Sequence, residues 1–214
     1  EHIFITTKLY TTTGGRRQVL QSFQQSLNNL MVNYIDLYLI HAPQGGHVLE
    51  AYDTMLELQK QGRIRSVGVS NFGIQHLEAI RNSGRPLPSV NQIELHPWMQ
   101  NVPIVNYCRQ HGIALMAYSP LAKASVLNDP YLQRFASKYR RSPAQILLRW
   151  SLQNGFIAIP KTSHIHRLEE NLNIFDFHLS DKDMARLSEY GRARSRGTGW
   201  DPTQNDWSQF GPVY

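Results

Sequence analysis

The sequence predicts an α/β fold assembled from parallel βαβ units. Three observations point there. Short β-rich apolar runs alternate with longer segments of helical period along the chain. The apolar runs are nearly continuous instead of alternating with polar residues, as parallel strands buried on both faces require. The runs also end in polar or ionisable groups: Lys8, His41, Ser70 with Asn71, Gln92, Tyr118 with Ser119, and Lys161. The alternation is compatible with both a doubly wound open sheet and a closed barrel. The dinucleotide fingerprint G-x-G-x-x-G is absent, since Gly14–Gly15 lacks the third glycine and the spacing. Polar groups at the C-terminal ends of strands are the signature of a barrel's catalytic face.

The strands are expected at Ile3–Thr7, Ile35–Ile40, Ile64–Val69, Ser89–Ile93, Ile113–Tyr118 and Phe156–Ile159. Between them, Arg16–Met31 places Val19, Leu20, Phe23, Leu27 and Leu30 at helical spacing. Glu50–Gln61 carries Ala51, Met55, Leu56 and Leu58, and Gly62 follows as a C-terminal stop. Gly73–Asn82, Val102–His111 and Pro143–Asn154 read the same way. The last of these opens with Ser142 as N-cap and Pro143 at the first helical position, and closes at Asn154–Gly155. Thr162–Asn171 begins another helix, and Ser180 caps a final one. No linker, repeat or low-complexity stretch interrupts the series. We therefore expect one domain over residues 1–190 and an irregular tail, 191–214, that packs on it through Trp200, Trp207 and Phe210.

Composition narrows the function classes. A chain of 214 residues with 41% hydrophobic and 18% charged residues is neither disordered nor collagenous. The single cysteine, Cys108, rules out an intrachain disulfide framework and a Cys-rich zinc site; it fits a reducing compartment, and a cytoplasmic location is expected. The longest apolar runs, such as Gly112–Tyr118, fall far short of the roughly 20 residues of a membrane helix. The net charge of +6 is partly local, at Arg16–Arg17, Arg140–Arg141 and Arg192, Arg194 and Arg196. No aromatic residues interleave these runs, so they read as solvated surface and not as a nucleic-acid site. The chain opens at Glu1 without a methionine and enters a strand-like run at once, as a fragment, a processed chain or an incomplete gene product would.

Lys8 and His41, on successive strands, place two titratable groups near one pocket. A buried lysine lowers the pKa of a neighbouring proton donor, and a neutral imidazole can hold a carbonyl oxygen. Around them stand Phe4-Ile-Thr-Thr-Lys8-Leu, Asp36-Leu-Tyr-Leu-Ile-His41, Gly62-Arg-Ile-Arg-Ser-Val-Gly-Val-Ser70-Asn71-Phe, Asn91-Gln92-Ile-Glu-Leu-His96-Pro97, Ala117-Tyr118-Ser119-Pro120-Leu121 and Ile159-Pro160-Lys161-Thr162, with Arg167 and Glu170-Asn171 after them. In these motifs and in their order the chain resembles the aldo-keto reductases, from its first residues to about Leu187. The resemblance implies a (β/α)8 TIM-type barrel, here incomplete, with about six of eight βα units and the first two missing. It implies an NADPH-dependent oxidoreductase that reduces aldehydes or ketones by hydride transfer. It further implies a small-molecule carbonyl substrate, no nucleic-acid or membrane partner, and a monomer for a full-length member, with oligomers or aggregates for a chain short of two units.

Residue by residue, the resemblance makes Lys8 and His41 catalytic, Lys8 by depressing the pKa of the family's tyrosine and His41 by orienting the carbonyl. Ser70, Asn71 and Gln92 match contacts to the nicotinamide carboxamide, and Tyr118 matches the tyrosine that stacks on the nicotinamide. Ser119 and Leu121 match contacts on the pyrophosphate side. Lys161, Thr162 and Arg167 match the clasp on the 2′-phosphate, and Glu170 and Asn171 match adenine contacts. No metal is implied. Tyr10 stands where many members carry Trp beside the substrate, and Ala42 where many carry a large residue, so substrate preference is not inherited. Lys123 falls in a segment that often has small residues near the pyrophosphate; it either adds a phosphate contact there or is merely exposed, and exposure is the expectation. The family's catalytic Asp and Tyr have no match here; His41 or Tyr10 would have to supply the proton. A catalytically silent NADPH-binding module, or an unstable fragment needing a partner, are the alternatives to an active reductase.

Overall fold

The computed structural model describes residues 3–204; the expected contacts of Trp207 and Phe210 lie outside the described residues. Described strands and helices alternate as β1(Thr6–Leu9), α1(Gly15–Leu30), β2(Ile35–Ile40), α2(Val48–Lys60), β3(Ile64–Ser70), α3(Ile74–Asn82), β4(Val90–Glu94), α4(Val102–Gln110), β5(Ala114–Tyr118), α5(Pro130–Tyr139), α6(Pro143–Gln153), β6(Ile157–Ala158), α7(Ile165–Leu172) and α8(Asp181–Arg192). This is the parallel six-stranded α/β pattern expected from the sequence. The described residues form two compact units, one drawn from 3–92, 106–113 and 201–204, the other from 93–105 and 114–200.

In the first unit β1, β2, β3 and β4 lie side by side and all parallel, with Lys8 opposite Leu39, Tyr38 opposite Val67 and Ser70 opposite Gln92. All six residues of β2 are buried, which is why its apolar run carries no alternation. Asp36 is the exception in composition but not in satisfaction: its carboxylate accepts from the Ile5 amide (2.9 Å) and from Arg65 (3.0 Å). Helix α1 turns Val19, Phe23 and Leu27 inward, and the Phe23 ring meets Tyr38 edge-on at 5.6 Å. Gly62, at φ 72°, takes the left-handed position after α2 that a side chain would resist. At the other end of the chain, residues 202–204 form a 3-10 turn on the N-terminus of α3, where Gln75 Nε2 donates to the Thr203 carbonyl at 2.9 Å.

In the second unit β5 and β6 pair in parallel, and Leu95, just after β4, donates to the Tyr118 carbonyl at the end of β5 (3.5 Å). Ser142 caps α6 by accepting from the Gln145 amide while Gln145 reaches back to the Ser142 amide, a reciprocal cap opened by Pro143. Trp150 is buried on α6 and its indole donates to Ser188 Oγ on α8 at 2.8 Å.

Two expectations need correction. The first strand is shifted, running Thr6–Leu9 instead of Ile3–Thr7, because Ile3 and Phe4 are exposed and the Ile5 amide is held by the Asp36 side chain. Lys8 therefore lies within β1 and not beyond its end. Helix α5 had no counterpart in the sequence reading; Asp129 caps it by accepting from the Tyr131 and Leu132 amides, and Pro130 stands at its first position.

Candidate active site

The first unit gathers Lys8, Tyr10, His41, Ser70, Asn71 and Gln92. Strand β1 carries Lys8, with Tyr10 just after its end; His41 is the first residue beyond β2, where its amide donates to the Leu9 carbonyl at 2.9 Å. Burial lowers the Lys8 pKa, because a low-dielectric setting disfavours the ammonium. Burial, and after it the positive charge of Lys8, lowers the pKa of His41. Both effects favour a neutral imidazole, the form able to donate a hydrogen bond without carrying charge. The Tyr10 ring stacks on His41 with centroids 5.5 Å apart and planes 21° apart, while 73% of Tyr10 remains exposed.

Asn71 ties the neighbouring strand ends together. It sits at φ 62°, a left-handed conformation that asparagine tolerates better than most side chains. Its amide Nδ2 donates to the His41 carbonyl and to Ser70 Oγ, each at 3.0 Å. Ser70 Oγ in turn donates to the Gln92 carbonyl at 2.8 Å, and the Asn71 backbone N–H donates to the same carbonyl at 2.9 Å. Ser70, Asn71 and Gln92 are all buried. Both Asn71 amide protons are thus engaged within the protein, which leaves its side-chain oxygen as the acceptor it has to offer. Such an oxygen suits the N–H face of a planar carboxamide.

The second unit holds a cavity of about 580 Å3. Ser119 and Leu121, following β5, form one wall; Lys161, Thr162 and Arg167, before and in the first turn of α7, form another. Glu170 and Asn171 on α7 complete the set expected for a nucleotide. Tyr118 ends β5 one residue before this wall and is not part of the lining. Among the described residues, neither Lys161 nor Arg167 makes an ion pair or a side-chain hydrogen bond. Thr162 Oγ1 accepts from the His164 amide at 3.1 Å, and the N-cap of α7 has no side-chain cap, so the positive end of the helix dipole is left to this region. The Glu170 carboxylate, the one acid in the lining, accepts from the Ser142 hydroxyl. Unpaired cations, a helix N-terminus and a hydroxyl suit a phosphate-bearing ligand. Lys123 also lines this cavity and is exposed, as expected.

Sequence reasoning missed the part played by Glu94. Its buried carboxylate accepts from His96 Nε2 (2.7 Å), from the Thr198 amide (2.9 and 3.1 Å) and from Thr198 Oγ1 (3.0 Å). It thereby fixes residues 195–199, whose Arg196 amide and Ser195 hydroxyl also donate to the Trp98 carbonyl. The signal was present: an acid two residues from a histidine on an otherwise apolar strand end needs an internal partner. Among the described residues no cluster of His, Cys, Asp and Glu could hold a metal ion, and no helix is long and apolar enough to cross a membrane.

Comparison with known proteins identifies the family. The sequence model of the Aldo/keto reductase family matches residues 1–192. Glyoxal reductase of Bacillus subtilis is 39% identical over 201 residues, covering 94% of this chain and 73% of that protein. Among solved structures, the aldo-keto reductase of Bombyx mori in complex with NADP superposes with a TM-score of 0.83 at 36% identity, over 88% of this chain and 67% of that one. The aldo/keto reductase of Brucella melitensis gives a TM-score of 0.82 at 41% identity, over 87% of this chain and 73% of that one. The motifs that suggested a reductase and the alternation of strands and helices thus have one explanation: this chain belongs to the aldo/keto reductase family of oxidoreductases.

Proposed function

We propose that the chain binds NADPH and reduces a small aldehyde or ketone. The observation that carries this reading is the cavity of the second unit, where Lys161 and Arg167 stand unpaired beside Thr162 and the start of α7. The donor set fits the cofactor: two cations and a hydroxyl for the 2′-phosphate, Ser119 and Leu121 for the diphosphate side, Glu170 and Asn171 for the adenine. Ser70, Asn71 and Gln92 match the family's contacts to the carboxamide, and Tyr118 matches its residue for the nicotinamide ring. Bound there, NADPH supplies the hydride that adds to the carbonyl carbon.

The chain's own contribution is to handle the oxygen. His41, kept neutral by burial and by Lys8, donates a hydrogen bond to the carbonyl oxygen and so opposes the charge that develops on it. Lys8 supplies a fixed positive charge on the same strand-end cluster. The proton that completes the alcohol comes from His41 or Tyr10, the two titratable hydrogen-bond donors stacked there. A second reading, binding without turnover, is favoured by the exposure of Tyr10: a proton donor open to water lacks the dry setting that makes acid catalysis efficient.

The test is titration of the purified chain with NADPH by quenching of tryptophan fluorescence, followed by addition of a generic aldehyde. Saturation followed by NADPH oxidation supports the reductase. Saturation without oxidation supports the silent module. Absence of saturation refutes the cofactor assignment.

A further inference from the structure

Ser142 does more than open α6. Its Oγ accepts from the Gln145 amide at 3.2 Å, which is all that an N-cap requires. A hydroxyl also has one proton to give, and Ser142 donates it to Glu170 Oε1 on α7. Gln145 joins the same mooring. Its Nε2 donates to the Glu170 carbonyl at 3.1 Å and to the Asn173 carbonyl at 2.9 Å, while its Oε1 accepts from the Ser142 amide at 3.0 Å. Helix α7 needs such polar ties, because none of its residues is buried and Ile165, Leu168 and Leu172 stand exposed. The two side chains of one capping box thus fix both the backbone of α7 and the direction of its Glu170 carboxylate.

That direction matters because of what stands beside Glu170. Arg167 precedes it by one helical turn on α7, and side chains at this spacing are neighbours on a helix face. A glutamate left to itself there would pair with the guanidinium, whose fork of donors matches a carboxylate. The pair is not made. Among the described residues Arg167 takes part in no ion pair, and the Glu170 carboxylate is engaged by Ser142 instead. Ser142, Arg167 and Glu170 all line the cavity of about 580 Å3, so the bond that occupies Glu170 leaves a cation of the same cavity uncompensated. Removing the Ser142 proton would release the carboxylate to Arg167 and cancel its charge.

We propose that Ser142 is a positioning residue for the choice of dinucleotide: by holding Glu170 it keeps Arg167 unpaired for a 2′-phosphate. The proposal rests on the NADPH reading above. Its effect falls on NADPH and not on NADH, because only NADPH carries the 2′-phosphate. Ser142 acts through Glu170 and not by touching the phosphate or the reacting atoms.

The experiment measures Kd for NADPH and for NADH with the full chain and with Ser142→Gly, Ser142→Thr, Glu170→Gln and the double variant Ser142→Gly/Glu170→Gln. Glycine removes the hydroxyl and is itself a fair N-cap. Ser142→Gly should lower the preference for NADPH over NADH about three- to tenfold, through NADPH alone. Ser142→Thr, which keeps the hydroxyl, should hold the parent's ratio. In the Glu170→Gln background, adding Ser142→Gly should leave the ratio unchanged, since glutamine carries no charge to cancel that of Arg167. The ratio is independent of any loss of folded protein, because an incompetent fraction weakens both cofactors alike. Ser142→Ala, which loses hydroxyl and cap together, should therefore shift the ratio in the same direction as Ser142→Gly. A parent that binds neither cofactor, or both equally, overturns the NADPH reading and this proposal with it. A parent that prefers NADPH, with a ratio that Ser142→Gly leaves unchanged or shifts just as far in the Glu170→Gln background, keeps the cofactor reading and refutes the role given to Ser142.

Discussion

Replacing Glu94 by glutamine should destabilise the protein by about 2–4 kcal/mol, because one buried carboxylate serves three donors at once. Only 4% of Glu94 is exposed, and His96 Nε2, the Thr198 amide and Thr198 Oγ1 all point at it within 3.0 Å at their shorter approach. Glutamine keeps the volume but offers one acceptor oxygen and one NH2. At least one donor then faces another donor, and an unsatisfied buried donor costs about 1–3 kcal/mol. The bonds that survive lose their charged acceptor and weaken further. Urea denaturation of Glu94→Gln, Thr198→Val and the double variant isolates the hydroxyl contact, with a coupling of about 1–2 kcal/mol expected. The pH dependence has a definite sign. Burial opposes ionisation of Glu94, but the hydrogen bonds from His96 and Thr198 outweigh it and hold the carboxyl below its usual range. Its stabilisation is therefore complete above the unfolded value near 4.5 and is lost as pH falls through the lower folded value. The acid side of the stability profile should flatten in Glu94→Gln. Hydrogen exchange at the Thr198 amide should accelerate in parallel. An unchanged urea midpoint together with unchanged exchange at Thr198 would refute the reasoning.

Three further outcomes are expected. Lys8→Met removes a positive neighbour, so the ring titration of His41 followed by NMR should move upward while the part due to burial persists; no movement would mean that the two groups are not coupled. Gly73→Ala leaves the backbone at ease, at φ −79° and ψ 175°, but sets a Cβ 2.1 Å from the Thr203 carbonyl oxygen, so residues 202–204 must lift from α3. Limited proteolysis near residue 204 should then quicken, with a loss of about 1–3 kcal/mol, and equal cleavage rates would contradict the packing. Helix α7 buries none of its residues and exposes Ile165 (80%), Leu168 (51%) and Leu172 (67%) along one side, so Ile165→Lys with Leu172→Lys should lower the binding of an apolar dye by the native protein; undiminished binding would place the dye's surface elsewhere.

The parts of the fold legible in the sequence were those where burial is continuous. Strand β2 matches its expectation at both ends because every residue from Ile35 to Ile40 is buried and Tyr34 and His41 bound it with polar groups. Strand β1 was misplaced because Ile3 and Phe4 are apolar yet exposed, and hydrophobicity alone cannot separate a strand from its approach. Helix α5 escaped notice because Leu132, Phe135 and Ala136 supply a narrow buried stripe in an otherwise polar segment, although Asp129-Pro130 is a strong start signal. The lining of the cavity was legible because its residues fall in short local motifs. The Glu94 anchor was not, because its partner Thr198 lies 104 residues away, and no local pattern records a hydrogen bond of that span.

The lining of the cavity comes entirely from residues 119–171, whereas Lys8, Tyr10 and His41 come from the opening stretch of the chain. Inheritance can act on these separately. On the proposed reading, a substitution at Lys161 or Arg167 would alter which dinucleotide is preferred without touching the groups that manage the carbonyl oxygen. On the same reading, a change at Tyr10 or beside His41 would remodel the substrate end and leave the nucleotide grip intact. A lineage built on this plan is free to trade cofactor economy and substrate range along independent mutational paths. Directed evolution of the chain should find the two properties improving in different libraries.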